Sequence, residues 1–432
     1  MKLGIVTLIP FLNKDFFKSL MLLVSGSAIS MIISFLFQII LRRYYSPEVF
    51  GAFDIYLNIF NVIVSISVLK YDQAVILPSK EKDSVSLVTL SAIISFIVNA
   101  IFFIIIIFFV KPICSYFNIS LMYSWWFFML PLSAFLFSTF QSLNYWFIRK
   151  KAFRVSSVNK IYRRFGEGIV QSIIGYNGFS GGLVVGNVAG SFINAIVGFI
   201  KASKMSFFKL FRVNYTNLFE LFKRYSHFPK YALASNVFSS LCAIIPFSII
   251  SMQFDTYHTG LYGLSRMLLF TPISIISISL GQVLLQRFAE KKSENKTILK
   301  EVLIITGSLL ITTTIISIII SPWSDELITF LFGEKWINSG PLFSIMLISF
   351  VFQFSVSPVS VSLIVYEKLN LQTIWQTIYM ISLAALFFFK YNSLEDFLWI
   401  MVTIDSICYI LYLGLIYYII SKTYINTLIM DL

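Results

Sequence analysis

The sequence has few charged residues. Asp, Glu, Lys and Arg together make up 12% of its 432 residues, whereas a soluble globular chain carries roughly a quarter. Hydrophobic residues make up 58%, and long apolar runs recur from one end of the chain to the other. Such runs suit hydrocarbon rather than water. The composition therefore excludes an ordinary soluble domain and predicts an integral membrane protein.

Residues that hold metals or carry out catalysis are also scarce. Cys114, Cys242 and Cys408 lie far apart, and His227 and His258 have no partner at a metal-ligating spacing. The sequence contains no Walker A loop, nucleophile elbow or dinucleotide-binding fingerprint. It therefore predicts no metal, no cofactor and no catalytic residue, and we interpret the protein as not being an enzyme.

The net charge of +13 admits two interpretations, a nucleic-acid partner or the excess of Lys and Arg that membrane proteins collect in cytoplasmic loops. The second fits better, because the basic residues lie between apolar runs rather than in one patch. We therefore expect a lipid bilayer and no nucleic acid as a partner.

Twelve stretches approach the roughly 20 apolar residues that a spanning helix needs. The predicted spans are Phe17–Leu41, Pro47–Leu69, Val85–Val110, Leu121–Ile148, Ile161–Ile174, Gly178–Ile200, Pro229–Met252, Thr259–Gln286, Leu299–Ile320, Pro341–Tyr366, Leu371–Phe389 and Leu394–Ile420. The first is too long for a cleaved signal peptide and is expected to remain. The fifth is short and contains Arg163, Arg164 and Glu167, for which an ion pair within the helix at the cytoplasmic surface is the simplest explanation.

Loop charges predict the orientation. With the N-terminus inside, nearly all Lys and Arg fall in inner segments, which also places the C-terminus in the cytoplasm. The exceptions are Arg42, Arg43, Lys111, Lys335 and Lys390 in outer segments and Arg266 inside a helix. The longest inner connection predicts two six-helix lobes, residues 1–205 and 229–432, joined by a cytoplasmic linker, residues 206–228. The polar segment Ser321–Gly340 is expected to form an amphipathic turn or short helix at the outer interface.

Two helices carry polar residues along one face. The polar positions recur at helical spacing and are Ser27, Ser30, Ser34, Gln38 and Arg42 on the first helix and Asp54, Asn58, Asn61 and Ser65 on the second. Hydrogen bonding between helices is one explanation. For stripes that contain Arg42 and Asp54 we favour an aqueous cavity, because polar side chains facing lipid are costly.

Arg266 is the most informative single residue, because an Arg inside a span costs several kcal/mol unless it faces water or a counter-charge. It is expected to lie roughly 10 Å below the outer end of its helix, from a rise of 1.5 Å per residue. Asp405 lies at a similar depth and could form an ion pair with it. A cation that faces a ligand is the alternative we favour, since a guanidinium can bond two phosphate oxygens at once.

Small and helix-breaking residues predict how some helices pack. Gly182, Gly186 and Gly190 recur every four residues, a pattern that lets a neighbouring helix approach closely. Prolines lie inside several predicted spans and are expected to kink them; they are Pro131, Pro246, Pro272 and Pro358.

Four segments, in this order and spacing, resemble the Wzx-type polysaccharide-repeat flippases, within the superfamily that includes the multidrug and toxic compound extrusion (MATE) transporters. They are YYSPEVFGAF at Tyr44–Phe53, KYDQAVILPSK at Lys70–Lys80, the long segment from His227 to Glu290 that contains Arg266, and LFGEKW at Leu331–Trp336. The first is also a sound helix start, with Ser46 as N-cap and Pro47 in the first turn.

The resemblance implies an all-α membrane protein with about twelve helices in two lobes around a central cavity, working by alternating access in the bacterial inner membrane. It implies an oligosaccharide on undecaprenyl diphosphate as the substrate, flipped to the outer face for O-antigen, capsule or exopolysaccharide. A polysaccharide polymerase and a chain-length regulator are implied partners. The family's cavity is typically cationic, and Arg42, Arg43 and Arg266 can fill that role here.

Other assignments follow from these candidates. Gln38, Asn58 and Asn61 could contact sugar hydroxyls, and Asp54 and Asp405 are candidates for ion coupling. Two other functions remain open: a drug/cation antiporter of the same superfamily, and a non-transporting scaffold of the polysaccharide assembly complex. Membrane-bound glycosyltransferases and polymerases would usually bring a large polar domain, which the sequence lacks.

Overall fold

The computed structural model describes residues 14–211, 215–229, 233–294 and 296–430, and these residues form helices and connecting turns with no strand. The α-helices are α1 (Lys14–Tyr44), α2 (Pro47–Ser67), α3 (Tyr71–Ala74), α4 (Glu81–Tyr116), α5 (Ser124–Arg149), α6 (Phe153–Tyr176), α7 (Gly182–Lys204), α8 (Phe207–Leu210), α9 (Tyr215–Arg224), α10 (Leu233–Gln253), α11 (Thr256–Ser293), α12 (Leu299–Ile320), α13 (Ser324–Phe332), α14 (Ser339–Val356), α15 (Ser362–Val365), α16 (Leu369–Ala385) and α17 (Leu394–Met430). The all-α membrane fold that the sequence predicts is confirmed.

Eleven helical stretches in the described part of the chain are long and apolar enough to cross a membrane, and they lie on α1, α2, α4, α5, α7, α10, α11, α12, α14, α16 and α17. α6 is not among them, and its assignment as a twelfth span stays a prediction that its length permits. Its 24 residues reach about 36 Å at 1.5 Å per residue, which exceeds the roughly 30 Å hydrocarbon thickness. The positions of both termini in the cytoplasm stay a prediction.

The predicted bounds of the fifth span, Ile161–Ile174, are wrong, because α6 begins eight residues earlier and ends two residues later. One side of α6 is exposed and apolar, at Tyr162, Phe165, Ile169 and Ile173. Its opposite side is polar and turned into the protein. Hydropathy averaged along the sequence combines the two sides, so a helix with a buried polar face does not stand out as apolar.

Glu167 shows what that inner side does. It accepts a hydrogen bond from Arg164 Nη1 at 3.1 Å, which confirms the predicted ion pair within one helix. Glu167 is buried rather than on the protein surface, because it is 6% exposed and Asn187 Nδ2 of α7 lies 3.4 Å from Oε1. Its position on the cytoplasmic side stays a prediction. A carboxylate with these partners can be buried at tolerable cost.

The chain folds into two compact units. The first comprises Met1–Tyr44, Ile59–Lys111 and Met122–Val237, and the second Tyr45–Asn58, Pro112–Leu121 and Phe238–Leu432. The predicted lobe boundaries at residues 205 and 229 stay a prediction, and residues 212–214 of the predicted linker lie outside the described residues. Within the first unit, α9 buries Leu218 and Leu221 in the same hydrophobic core as Tyr71 and Trp146.

Close packing between α6 and α7 organises the first unit. A Cβ at Gly186 would lie 2.2 Å from Gln171 Cγ and 2.9 Å from the Glu167 carbonyl oxygen, and one at Gly190 would lie 2.9 Å from Glu167 Cβ. The predicted small-residue stripe is therefore confirmed as the surface that lets α6 and α7 approach.

In the second unit, the first and fourth motifs of the family resemblance meet. The rings of Phe50 and Trp336 pack edge to face with centroids 5.5 Å apart, and both side chains are buried. A Cβ at Gly51 would lie 1.8 Å from the Thr256 carbonyl oxygen, and one at Gly260 would lie 2.0 Å from that of Pro47. These glycines let the starts of α2 and α11 touch through their backbones.

Other sequence expectations hold in the second unit. The segment Ser321–Gly340 forms α13 between two 3₁₀ turns, Ser321–Trp323 and Glu334–Trp336, so its prediction as short helical structure is confirmed. Pro358 interrupts the tenth predicted span, since α14 ends at Val356 and a 3₁₀ turn begins at Pro358. Proline removes a backbone donor and breaks the helix at that point.

Candidate functional site

Arg266 projects from α11 into a mixed aromatic and polar environment within the second unit. Its Nη1 donates to the Ala243 carbonyl oxygen at 3.0 Å and lies 3.3 Å from Tyr262 Oη. The guanidinium carbon lies 5.4 Å from the centroid of the Phe247 ring and 4.9 Å from that of Phe270. Cation–π contacts of this kind hold a guanidinium in an apolar setting while leaving some of its donors for other partners.

Asp405 of α17 is 5% exposed and has its own partners. Tyr379 Oη donates to Oδ1 at 2.7 Å, and Gln353 Nε2 lies 3.4 Å from Oδ2. Among the described residues no ion pair joins Arg266 to Asp405. The structure thus keeps a cation and a carboxylate apart, each held by neutral groups.

Both residues line one cavity of about 30 Å³. Its other lining residues come mainly from α10, α11, α14, α16 and α17, and they include Cys242, Tyr262, Gln353, Tyr379 and Met401. This volume is enough for about two water molecules and is far below that of small-ligand pockets. The cavity therefore admits water in this conformation, and a diphosphate or a sugar could reach Arg266 only if the surrounding helices moved apart.

Asp54 lies close to the same part of α11. A Cβ added at Gly263 would lie 1.9 Å from Asp54 Oδ2 and 3.5 Å from Phe247 Cε1. Gly263 precedes Arg266 by three residues, a rise of about 4.5 Å. Glycine at this position therefore lets the Asp54 carboxylate approach the helix that carries Arg266.

The other predicted site residues are divided between the units. Gln38, Arg42, Arg43 and Asn61 belong to the first unit, and Asn58 to the second. Arg42 is 2% exposed, whereas Arg43 and Asn61 are exposed. Their roles as substrate ligands stay predictions.

Asn58 is turned toward its own helix, as its Nδ2 donates to the Asp54 carbonyl oxygen at 2.8 Å. Bonds of this kind satisfy polar side chains without a partner helix. Its predicted contact with sugar hydroxyls is likewise untested.

The sequence reasoning missed Gln353, Tyr379 and Tyr262. Gln353 carries the only side-chain amide in the predicted span Pro341–Tyr366, and a lone amide in an apolar run is a detectable signal. The two tyrosines carry no such signal, because tyrosine is common throughout this chain. Only the packing of α11, α16 and α17 reveals which tyrosines reach a charged group.

A family model described as polysaccharide biosynthesis protein matches residues 40–341, which is well over half of the chain. The chain belongs to this family. Among curated proteins it is similar to the teichuronic acid biosynthesis protein TuaB of Bacillus subtilis strain 168, with 25% identity over 203 residues. That alignment spans 46% of this chain and 42% of TuaB.

Solved structures show the fold. The chain superposes on the lipid II flippase MurJ in an inward closed conformation with a TM-score of 0.74 and 13% identity, covering 95% of this chain and 91% of that one. An inward-facing multidrug resistance MATE family transporter of the MOP superfamily superposes with a TM-score of 0.70 and 13% identity. The match covers 91% of this chain and 96% of that one. The resemblance found in the sequence is therefore confirmed for family and fold.

Proposed function

We propose that this protein moves a saccharide carried on a polyprenyl diphosphate from the inner to the outer face of a bacterial cytoplasmic membrane, by alternating access, for surface polysaccharide synthesis. Membership of the polysaccharide biosynthesis family and the fold shared with a lipid II flippase support this function. The observation that carries the proposal is Arg266, a cation that lines the same cavity as Asp405 but has neutral hydrogen-bond partners of its own.

The physical problem of such transport is the diphosphate. Its lipid tail can stay in the bilayer, but isolated charges in a medium of low dielectric cost tens of kcal/mol by idealised estimates. A transporter must therefore supply water and fixed cations along the path. Arg266 suits this role, because its planar fork bonds two phosphate oxygens at once. We assign Arg42 and Arg43 to the same path, with Gln38, Asn58 and Asn61 contacting the neutral sugars.

Transport against a gradient also requires an energy source, since nothing in the sequence predicts nucleotide hydrolysis. We propose Asp405 as the group that takes up the coupling ion, with Asp54 as a second candidate. Asp405 sits between Tyr379 and Gln353, which could stabilise it when its own charge changes. A polymerase and a chain-length regulator are proposed as partners in the membrane.

A drug/cation antiporter is the second candidate function. It is favoured by the carboxylate in the cavity and by the MATE-like fold. A scaffold without transport is the third, and it would not require a cation in a cavity.

The test compares variants of Arg266 in a strain that lacks the protein and has lost its surface polysaccharide. Arg266→Ala should fail to restore the polysaccharide, while Arg266→Lys should restore part of it, because the charge survives but the bidentate fork does not. Arg287→Ala is the matched control on the same helix, since Arg287 is exposed and pairs with Glu301 at 2.5 Å. Western blotting of membranes checks that all variants are inserted at equal levels.

The outcomes separate the candidates. Accumulation of the lipid-linked saccharide on the inner face in the Arg266→Ala strain supports the flippase. Full restoration by the same variant would exclude Arg266 as a substrate ligand and with it the observation on which the proposal depends. Unchanged polysaccharide together with altered drug susceptibility would favour the antiporter.

A further inference from the structure

The segment after α7 lies across one end of the first unit. α9 and the residue that follows it are attached there through three buried side chains, Leu218, Leu221 and Tyr225. Two hydrogen bonds fix its position, from Tyr71 Oη to the Phe222 carbonyl oxygen at 2.8 Å and from Asn217 Nδ2 to Ser86 Oγ at 3.2 Å. Ser86 lies in the second turn of α4, so α9 is level with the end of a spanning helix.

The apolar arc of α9 is wider than the surface on which it packs. Beside the buried residues, Tyr215 is 79% exposed, Phe219 58% and Phe222 40%. At about 100° per residue these three rings fall within about 60° of one another. Phe208 of α8, 49% exposed, adds a fourth ring at the same end of the unit. A helix with this distribution is suited to an interface where one side meets apolar chains and the other meets water.

The charges around these rings are almost all positive. Lys204, Lys209, Lys223 and Arg224 are exposed, and Lys223 Nζ lies 4.5 Å from the centroid of the Phe219 ring. Glu220 is the one acidic residue between positions 201 and 230. Aromatic rings with cations at their edge match an anionic lipid surface, where acyl chains begin just beneath negative headgroups.

We propose that α8 and α9 form an interfacial anchor that inserts the rings of Phe208, Tyr215, Phe219 and Phe222 beside anionic phospholipid and holds its headgroup with Lys209, Lys223 and Arg224. The occupant is lipid rather than a protein, because aromatic rings and cations alternate along a segment that lies level with a span. The sequence predicts this end to face the cytoplasm, whose leaflet is the anionic one. The anchor does not depend on the proposed transport function.

The experiment uses the full-length protein in nanodiscs of phosphatidylcholine, with or without phosphatidylglycerol. An environment-sensitive fluorophore on Phe219→Cys should emit as in a membrane and be quenched by lipids that carry a shallow nitroxide. The same probe on Glu220→Cys, one residue away on the polar side, should emit as in water. Protein without an added cysteine gives the background from Cys114, Cys242 and Cys408.

Charge is tested separately by the retention of fluorescent phosphatidylglycerol. Replacing Lys209, Lys223 and Arg224 with Gln should lower its association about fivefold for each cation removed, whereas Lys390→Gln, an exposed cation of the second unit, should leave it unchanged. A water-like probe at position 219 overturns the anchor. Retention that is unaffected by the three changes overturns the headgroup assignment, and a shielded probe that lipid nitroxides do not quench identifies a protein as the occupant instead.

Discussion

Replacement of Gly186 by alanine tests the packing that builds the first unit. The added methyl would lie 2.2 Å from Gln171 Cγ and 2.9 Å from the carbonyl oxygen of Glu167. The backbone oxygen cannot move alone, so Gln171 must shift. Its Nε2 donates to the Leu183 carbonyl oxygen at 2.9 Å, and that buried hydrogen bond would be strained or lost.

The magnitude follows from three terms. Overpacking costs about 1–3 kcal/mol, and a lost hydrogen bond about 0.5–1.5 kcal/mol. Alanine in place of glycine in a helix contributes about 1 kcal/mol in the opposite direction. We therefore expect Gly186→Ala to destabilise the protein by about 0.5–3.5 kcal/mol.

The chain supplies matched controls. Gly307 in α12 and Gly414 in α17 are also inside helices, and an added Cβ at either meets no atom within 4 Å. Gly307→Ala and Gly414→Ala should be neutral or stabilising by up to about 1 kcal/mol. Thermal unfolding of the purified proteins in one detergent, followed by size-exclusion chromatography, gives the ranking. A Gly186→Ala midpoint equal to or above those of the controls would refute the close packing of α6 on α7.

Further outcomes are expected at other positions. Asp405→Asn should weaken transport that depends on an ion gradient in proteoliposomes, and undiminished gradient-driven transport would remove Asp405 as the coupling group. Burial raises the pKa of the Asp72 carboxyl, which lies outside the spanning segments, above its ordinary value. The native state therefore binds this proton more tightly than the unfolded state. The contribution of Asp72 to the free energy of unfolding is greatest below the unfolded pKa and is lost as pH rises through the native pKa. Asp72→Asn should reduce this loss of stability with rising pH, as measured by denaturation in detergent at several pH values. If the pH dependence of the variant equals that of the wild type, the Asp72 carboxyl has no such effect. An engineered cysteine at Asn338 should react with an impermeant thiol reagent added outside intact cells and one at Lys209 should not, whereas labelling at Lys209 would reverse the predicted orientation.

The polar face of α6 shows why a reading of the sequence recovers some elements better than others. In the described part of the chain, eleven helical stretches are apolar enough over a window of 18 residues to be candidate spans, so their hydropathy alone reveals them. α6 combines an exposed apolar side with Glu167 and other polar residues turned inward. Its true length appears only when its neighbours are known, because they provide the partners that make those residues tolerable.

For the candidate site as well, the sequence predicts some features and only the structure shows the others. Arg266 and Asp405 could be selected from the sequence, because a charge inside an apolar run needs a reason. The sequence could not show whether they form an ion pair, because that depends on the hydrogen bonds that Tyr379 and Gln353 donate to Asp405. Contacts between residues far apart in sequence carry no local pattern.

The sequence by itself determined the membrane environment, the helical class, the approximate span count and the residues whose charge is out of place. These properties follow from composition and from the 3.6-residue period, which are local. Only the tertiary structure decided that Gly51 and Gly260 let the starts of α2 and α11 touch, that Asp54 approaches Gly263 and that Arg266 and Asp405 share a cavity unpaired. Each of these depends on which helices are neighbours and at what rotation, and both are set by the packing of the whole unit rather than by any one segment.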